Sequence, residues 1–208
     1  MAVVAAVLYV VWMALAFGWR TIEQRRRTGD SGLRLGAEPN TAQWWAKIGF
    51  GVAIVVGVAA PVGALAGLDD VGVLDVVWLH IVGIAIAVVG IALTVAAQSS
   101  MGDSWRIGVD PNERTGLVTG GAFRLVRNPI FSAMVITASG LSMIIPNVIS
   151  LAGLAGLIAA LEIQVRLVEE PYLYSLHGDA YTAYAAEVGR FVPRVMRNER
   201  TNAGQRRG

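Results

Sequence analysis

Apolar runs of membrane-spanning length constrain this chain more than any other feature. A hydrocarbon core of about 30 Å takes about 20 helical residues rising about 1.5 Å each. Residues 45–68 and 73–97 meet that length with charge only near their ends, at Lys47 and Asp75. Val3–Phe17 is shorter and is closed by Trp19, an aromatic of the kind that sits at headgroup level. Residues 130–145 and 148–167 are separated only by Pro146-Asn147, a turn signal that leaves no room for a loop, so they form a tight helical hairpin. Its first arm spans about 24 Å and stops short of the far surface, so neighbouring helices have to cover the turn. Composition agrees: 15% of residues are charged and 55% hydrophobic, against about 25% charged in soluble domains. The expected fold is all-α, a polytopic membrane protein with five transmembrane helices and a cytosolic C-terminal helix.

Lys and Arg favour the cytoplasmic side of a bilayer. Arg20, Arg25, Arg26, Arg27, Arg34 and Lys47 lie between the first two helices, whereas Asp69, Asp70 and Asp75 lie between the second and third. An outside N-terminus puts all 17 Lys and Arg residues at or near the cytoplasmic face, with the plasma (inner) membrane as the expected location. The first helix reads as an anchor rather than a cleaved signal, because its Arg cluster follows the apolar run. Three parts result: membrane helices in 1–97, a chemistry-bearing region in 98–197 and a flexible polar tail in 198–208. The spacings Gly63-to-Gly67 and Gly153-to-Gly156 suggest close helix packing and leave the oligomeric state open. The pI near 9.3 reports topology, and no nucleic-acid partner is expected. With no cysteine and two histidines there is no thiol nucleophile or disulfide, and no metal site is assigned.

Chemistry therefore falls to the polar segments at the cytoplasmic helix ends. One cluster runs from Met101 to Val109 and resumes at Leu117-Val118-Thr119-Gly120-Gly121-Ala122-Phe123-Arg124-Leu125-Val126-Arg127-Asn128-Pro129-Ile130-Phe131. The paired glycines allow close backbone approach, Pro129 suits a first helical turn, and Arg124 and Arg127 flank a helix start able to hold an anion. The competing reading is a simple turn with arginines on lipid phosphates. A second cluster holds Glu162, Arg166, Glu169 and Glu170, spaced along one helix as it leaves the membrane. Ion pairs of Glu162 with Arg166, or of Glu169 with Arg127, account for single acids. A surplus acid near the anion-binding helix start points instead to a site for a zwitterion, with Arg at its carboxylate and Glu169 or Glu170 at its ammonium. Tyr181, Tyr184 and Val188 recur at helical spacing, as a packing face or an aromatic wall. His80 reads as an interfacial side chain and His177 as a surface residue.

The run Ser104-Trp105-Arg106, the stretch from Leu117 to Phe131, and Glu169-Glu170-Pro171 followed by Leu173, Gly178, Tyr181, Tyr184, Arg190 and Pro193 resemble the isoprenylcysteine carboxyl methyltransferase and phospholipid methyltransferase group. That resemblance covers residues 95–195 and implies an integral membrane enzyme using S-adenosylmethionine at the cytosolic face. It assigns Leu117, Val118 and Gly120 to the adenosine, with Gly121, Phe123, Pro129 and Leu173 beside them. Arg124, Arg127 and Asn128 fall to the carboxylate region, and Glu169 or Glu170 to the amino group. Tyr181, Tyr184 and Arg190 close the pocket, and Asn128, Arg190 and Glu170 stand nearest the chemistry. The group's usual Arg-His-Pro followed by Tyr reads Arg127-Asn128-Pro129-Ile130-Phe131 here. Asn donates a hydrogen bond as neutral His does but takes up no proton near neutral pH, which argues against a His-type general base. The expected acceptor is a lipophilic small molecule, a lipid or an isoprenylated carboxylate. A sterol-reductase-like enzyme using NADPH and a non-catalytic membrane subunit are the alternatives.

Overall fold

A computed structural model describes residues 1–34, 36–108 and 116–194 of the chain. The tail expected over 198–208 lies outside the described residues. Six helices organise the rest: α1 (Ala2–Thr28), α2 (Ala42–Leu65), α3 (Val77–Ser100), α4 (Pro129–Ile144), α5 (Val148–His177) and α6 (Asp179–Glu187). Among the described residues there are two isolated β-bridge pairs and no strand.

By length and composition α1, α2, α3 and α5 are long and apolar enough to cross a membrane, whereas α4 has 16 residues. The five expected spans thus become four of full length and one short arm. Valines cover the outside: Val3, Val7 and Val10 on α1 and Val52, Val55 and Val62 on α2 are each more than half exposed. Surface of that kind is stable when the solvent is lipid.

Helix ends follow local chemistry. Pro129 occupies the first turn of α4, where its missing N–H costs nothing. Asn147 caps α5, its side chain accepting from Ser150 N at 2.9 Å, and its amide donates to Ala60 O on α2 at 3.1 Å. The backbone N–H of Val71 donates to Pro146 O at 3.0 Å. The hairpin turn is thereby buried and its polar groups are satisfied, as a turn below the membrane surface requires.

Close helix approach centres on α3 and α4. A Cβ on Gly140 would come 2.3 Å from Ala87 N, and one on Gly90 would come 2.5 Å from Thr137 N. Of the spacings singled out in the sequence, Gly63 packs close to Ile149 and Gly153 close to Val56, whereas Gly67 and Gly156 face open space. On the other flank Gly57 makes room for Tyr9, whose hydroxyl donates to Ile54 O at 2.7 Å.

Two helices run further than hydropathy indicates, and both contain a widened π-type turn, Ala14–Trp19 in α1 and Gln164–Glu169 in α5. In α1 the turn leaves Ala16 O to accept from Gln98 Nε2 at 2.8 Å. Beyond it the polar stretch Arg20–Thr28 stays helical because it docks on the turn after α3. Arg20 donates to Gly102 O at 2.5 Å and lies over the Trp105 ring, Gln24 donates to Asp103 O at 2.7 Å, and Arg27 pairs with Asp103 at 3.1 Å. Gly29, at φ +80°, ends the helix in the left-handed conformation that glycine tolerates best.

Candidate functional site

A cavity of about 660 Å³ opens at the arginine-rich end of the bundle. Its inner part lies between apolar helix faces, with Met13 and Phe17 from α1, Phe50 and Ile54 from α2, Ile130 and Met134 from α4, and Leu161 from α5. Its outer part is polar and aromatic, with Arg106, Lys47, Arg127, Asn128, Gln164, Glu169, Tyr172, Tyr181 and Tyr184.

The widened turn in α5 presents Gln164 and Glu169 to the same space. Gln164 Nε2 donates to Glu169 Oε1 at 3.1 Å, and the Arg106 guanidinium acts on that carboxylate electrostatically. Arg106 is held by the preceding Trp105, 2% exposed and packed on Gly32, and by the following Ile107, whose N–H donates to Gly32 O at 2.8 Å. Lys47 Nζ donates to the carbonyls of Arg34 and Gly36, so it braces this floor.

Behind the opposite wall is a clasp. Glu170 accepts from Arg127 at 2.9 Å and from Arg190 through two bonds of 2.8 Å each. The backbone reinforces it: Arg127 N donates to Gly189 O at 2.8 Å, Asn128 N to Arg190 O at 3.0 Å, and Asn128 Nδ2 to Arg190 O at 3.2 Å. Ser132 Oγ donates to Phe191 O at 2.7 Å, and Tyr184 Oη to Phe123 O at 2.6 Å. Segment 184–191 is thus tied to the start of α4 and completes the wall. The bidentate bond to Glu170 raises the Arg190 pKa further above its ordinary value. Burial pushes the Tyr181 and Tyr184 phenols up to about 12, against the opposing pull of Arg127, so both are neutral hydrogen-bonding groups at physiological pH.

Of the residues expected from sequence, Leu117, Val118, Phe123, Arg127, Asn128, Pro129, Glu169, Leu173, Tyr181 and Tyr184 share the cavity wall. Gly120, Gly121, Arg124, Glu170 and Arg190 are not among the lining residues. Gly120 and Arg124 are exposed. Gly121, at φ +57°, packs where a Cβ would meet Ser100 Oγ at 2.6 Å. Glu170 and Arg190 are occupied by one another and by Arg127. The acid partner of Arg127 is therefore Glu170 rather than Glu169, while Glu162 pairs with Arg166. The site residues expected from sequence omit Arg106, Gln164 and Lys47, the last counted only among the cytoplasmic bases. Arg106 carried a signal in the Ser-Trp-Arg run; Gln164 did not, because its position beside Glu169 depends on the widened turn.

Membrane-length apolar helices around an end-opening chamber, mainly apolar with charged and aromatic residues toward its mouth, define an integral membrane protein. Residues 78–180 match the sequence model of the phospholipid methyltransferase family. The chain is also similar to protein-S-isoprenylcysteine O-methyltransferase A of Arabidopsis thaliana, with 30% identity over 120 residues. That similarity covers 57% of this chain and 61% of the relative, so the chain spans about three fifths of the relative's length.

Proposed function

We propose that this chain is an S-adenosylmethionine-dependent membrane methyltransferase whose acceptor is a lipophilic small molecule, a lipid or an isoprenylated carboxylate. The observation that carries the reading is the two-part lining of one cavity, charged and aromatic at its outer end and predominantly apolar between α1, α2, α4 and α5. Its size falls in the range of about 300–1,000 Å³ usual for small-molecule sites. The names of the family and of the relative point to a phospholipid and to an isoprenylated cysteine, both amphiphiles that suit the inner part.

The residues fit the cofactor. Its aminocarboxylate is a zwitterion, and the outer wall offers an acid, Glu169, with the bases Arg106 and Arg127. Arg127 Nε is buried without a hydrogen-bond partner, a donor available to a carboxylate. Leu117, Val118, Phe123 and the Tyr181 and Tyr184 rings offer flat apolar surface for adenine. Bound there, the cofactor supplies a sulfonium-linked methyl group for displacement by an acceptor atom. Glu169, Arg106 and Arg127 orient the charged end, and Asn128 holds the wall through its bond to Arg190 O. Glu170 and Arg190 act as positioning residues behind that wall. The apolar chamber aligns the acceptor and excludes water, and such alignment is worth about 7–11 kcal/mol of barrier. A carboxylate acceptor is already an anion, so Asn128 in place of a basic His leaves this chemistry intact. By the positive-inside rule the cavity opens to the cytosol, with the N-terminus outside and the plasma membrane as host.

Titration calorimetry of the purified protein with S-adenosylhomocysteine and with NADPH tests the cofactor, and methyl transfer from radiolabelled donor into a lipid extract tests the activity. Micromolar binding of S-adenosylhomocysteine with label in an organic-soluble product is expected. Binding of NADPH alone, or of neither, overturns the reading.

A further inference from the structure

The end of the bundle remote from the cavity gathers a second set of chemical groups. Asp70 and Asp75 lie in the connection between α2 and α3, and His80 lies in the first turn of α3. Gln98, on the cavity wall, follows His80 along the same helix by about five turns, or about 27 Å. The two sites are therefore independent.

The connection folds back on itself. A short 3₁₀ turn, Gly72–Leu74, separates the two aspartates, and the bond from Val71 N to Pro146 O pins it to the hairpin turn. Ligand atoms of Asp70, Asp75 and His80 consequently all lie within 4.8 Å of one another. The His80 side chain is 9% exposed, and its Nε2 faces Asp75 Oδ1 at 3.5 Å with no hydrogen-bond partner. Asp70 Oδ1 is likewise buried and unpartnered. Asp69 adds negative charge within electrostatic reach of Asp70, and the α-amino group of Met1 adds positive charge.

A desolvated imidazole nitrogen and two carboxylate oxygens turned toward one another are the donor set of a borderline divalent cation. Two ligand atoms each about 2.1 Å from a tetrahedral zinc ion are about 3.4 Å apart, close to the spacing of His80 and Asp75. We propose that Asp70, Asp75 and His80 form a site for a divalent transition cation, zinc above all, fastening the α2–α3 connection to the start of α3. The exposed Asp75 gives the ion access from solvent, and the fourth position falls to water. This site stands apart from the methyltransferase reading, and its failure or success leaves that reading untouched.

The experiment is a zinc titration of the chelator-stripped, full-length protein in detergent, in competition with a chromophoric zinc chelator. One equivalent bound with micromolar or tighter affinity is expected, with magnesium failing to compete. His80→Gln and Asp70→Asn should each weaken zinc binding at least about tenfold while retaining native circular dichroism. Zinc should raise the thermal unfolding midpoint of the natural chain and not of an Asp75→Asn/His80→Gln double variant. Absence of stoichiometric uptake by the natural chain overturns the site without reference to any variant. So does affinity unchanged in the folded double variant, and the His80–Asp75 contact is then the whole of the cluster.

Discussion

In a Glu170→Gln variant the side chain keeps its shape but loses the charge that two guanidiniums share. Glu170 is 8% exposed, and the Arg127 side chain beside it is 9% exposed, so removing the acid strands a buried cation. Breaking a buried pair in this way costs about 3–5 kcal/mol. Arg190 is 28% exposed and regains water, and exposed pairs are worth about 0–1 kcal/mol, which places the cost at the lower end, about 3 kcal/mol. For a chain of this size that lowers the unfolding midpoint by roughly 6–12 °C. Tryptophan fluorescence during thermal unfolding in detergent reads it directly. A Glu170→Gln/Arg190→Gln double variant should lose less than the sum of the single losses, because the two residues share one network. An unchanged midpoint accompanied by a tenfold or greater fall in S-adenosylhomocysteine affinity would refute the clasp, and Glu170 would then be a ligand-binding acid.

Glu169→Gln should behave in the opposite manner. Losing one charge-assisted hydrogen bond, about 1.5–3 kcal/mol, weakens S-adenosylhomocysteine binding about 10- to 150-fold by calorimetry while barely moving the midpoint. Gly140→Ala forces a methyl group to within 2.3 Å of the Ala87 backbone, and overpacking of that kind should cost about 1–3 kcal/mol in the same unfolding assay. Phenolate absorbance of Tyr181 and Tyr184 should emerge only toward about pH 12 in the folded protein, against 10.0 for a free phenol. Because the unfolded chain ionises first, the stability tied to these raised values is full below pH 10 and is lost as pH climbs through 12. Comparing the Tyr181→Phe/Tyr184→Phe variant with the natural chain across that window isolates the effect.

Hydropathy and punctuation made most of the fold legible. The uncharged runs give the helices, Pro146-Asn147 gives the hairpin, and Pro129 gives the start of α4. Hydropathy misplaced the ends of α1 and α5, because Arg20–Thr28 and the segment after Leu167 are polar and owe their helical state to tertiary contacts. It also missed the seam of Gly90, Thr137 and Gly140, since the local pattern of small residues does not reveal which helix lies opposite. At the site, charge pointed to Arg127 and to Glu169 or Glu170, and the family resemblance added the two tyrosines; Arg127, Glu169 and both tyrosines share one cavity. Adjacent positions were harder to separate: Glu169 and Glu170 look equivalent in the sequence, yet one faces the cavity and the other the clasp. Which one points where depends on the wide turn that contains the first and ends before the second.

The tie between segment 184–191 and the start of α4 also governs when the chamber can exist. Ribosomal synthesis runs from the N-terminus, so the wall-forming strip is made after every apolar helix. A nascent chain halted after α5 would hold a packed bundle whose mouth lacks one side, with Arg127 still without Arg190 across Glu170. Completion of the chamber therefore waits until a segment made after all the apolar helices has docked on the start of α4.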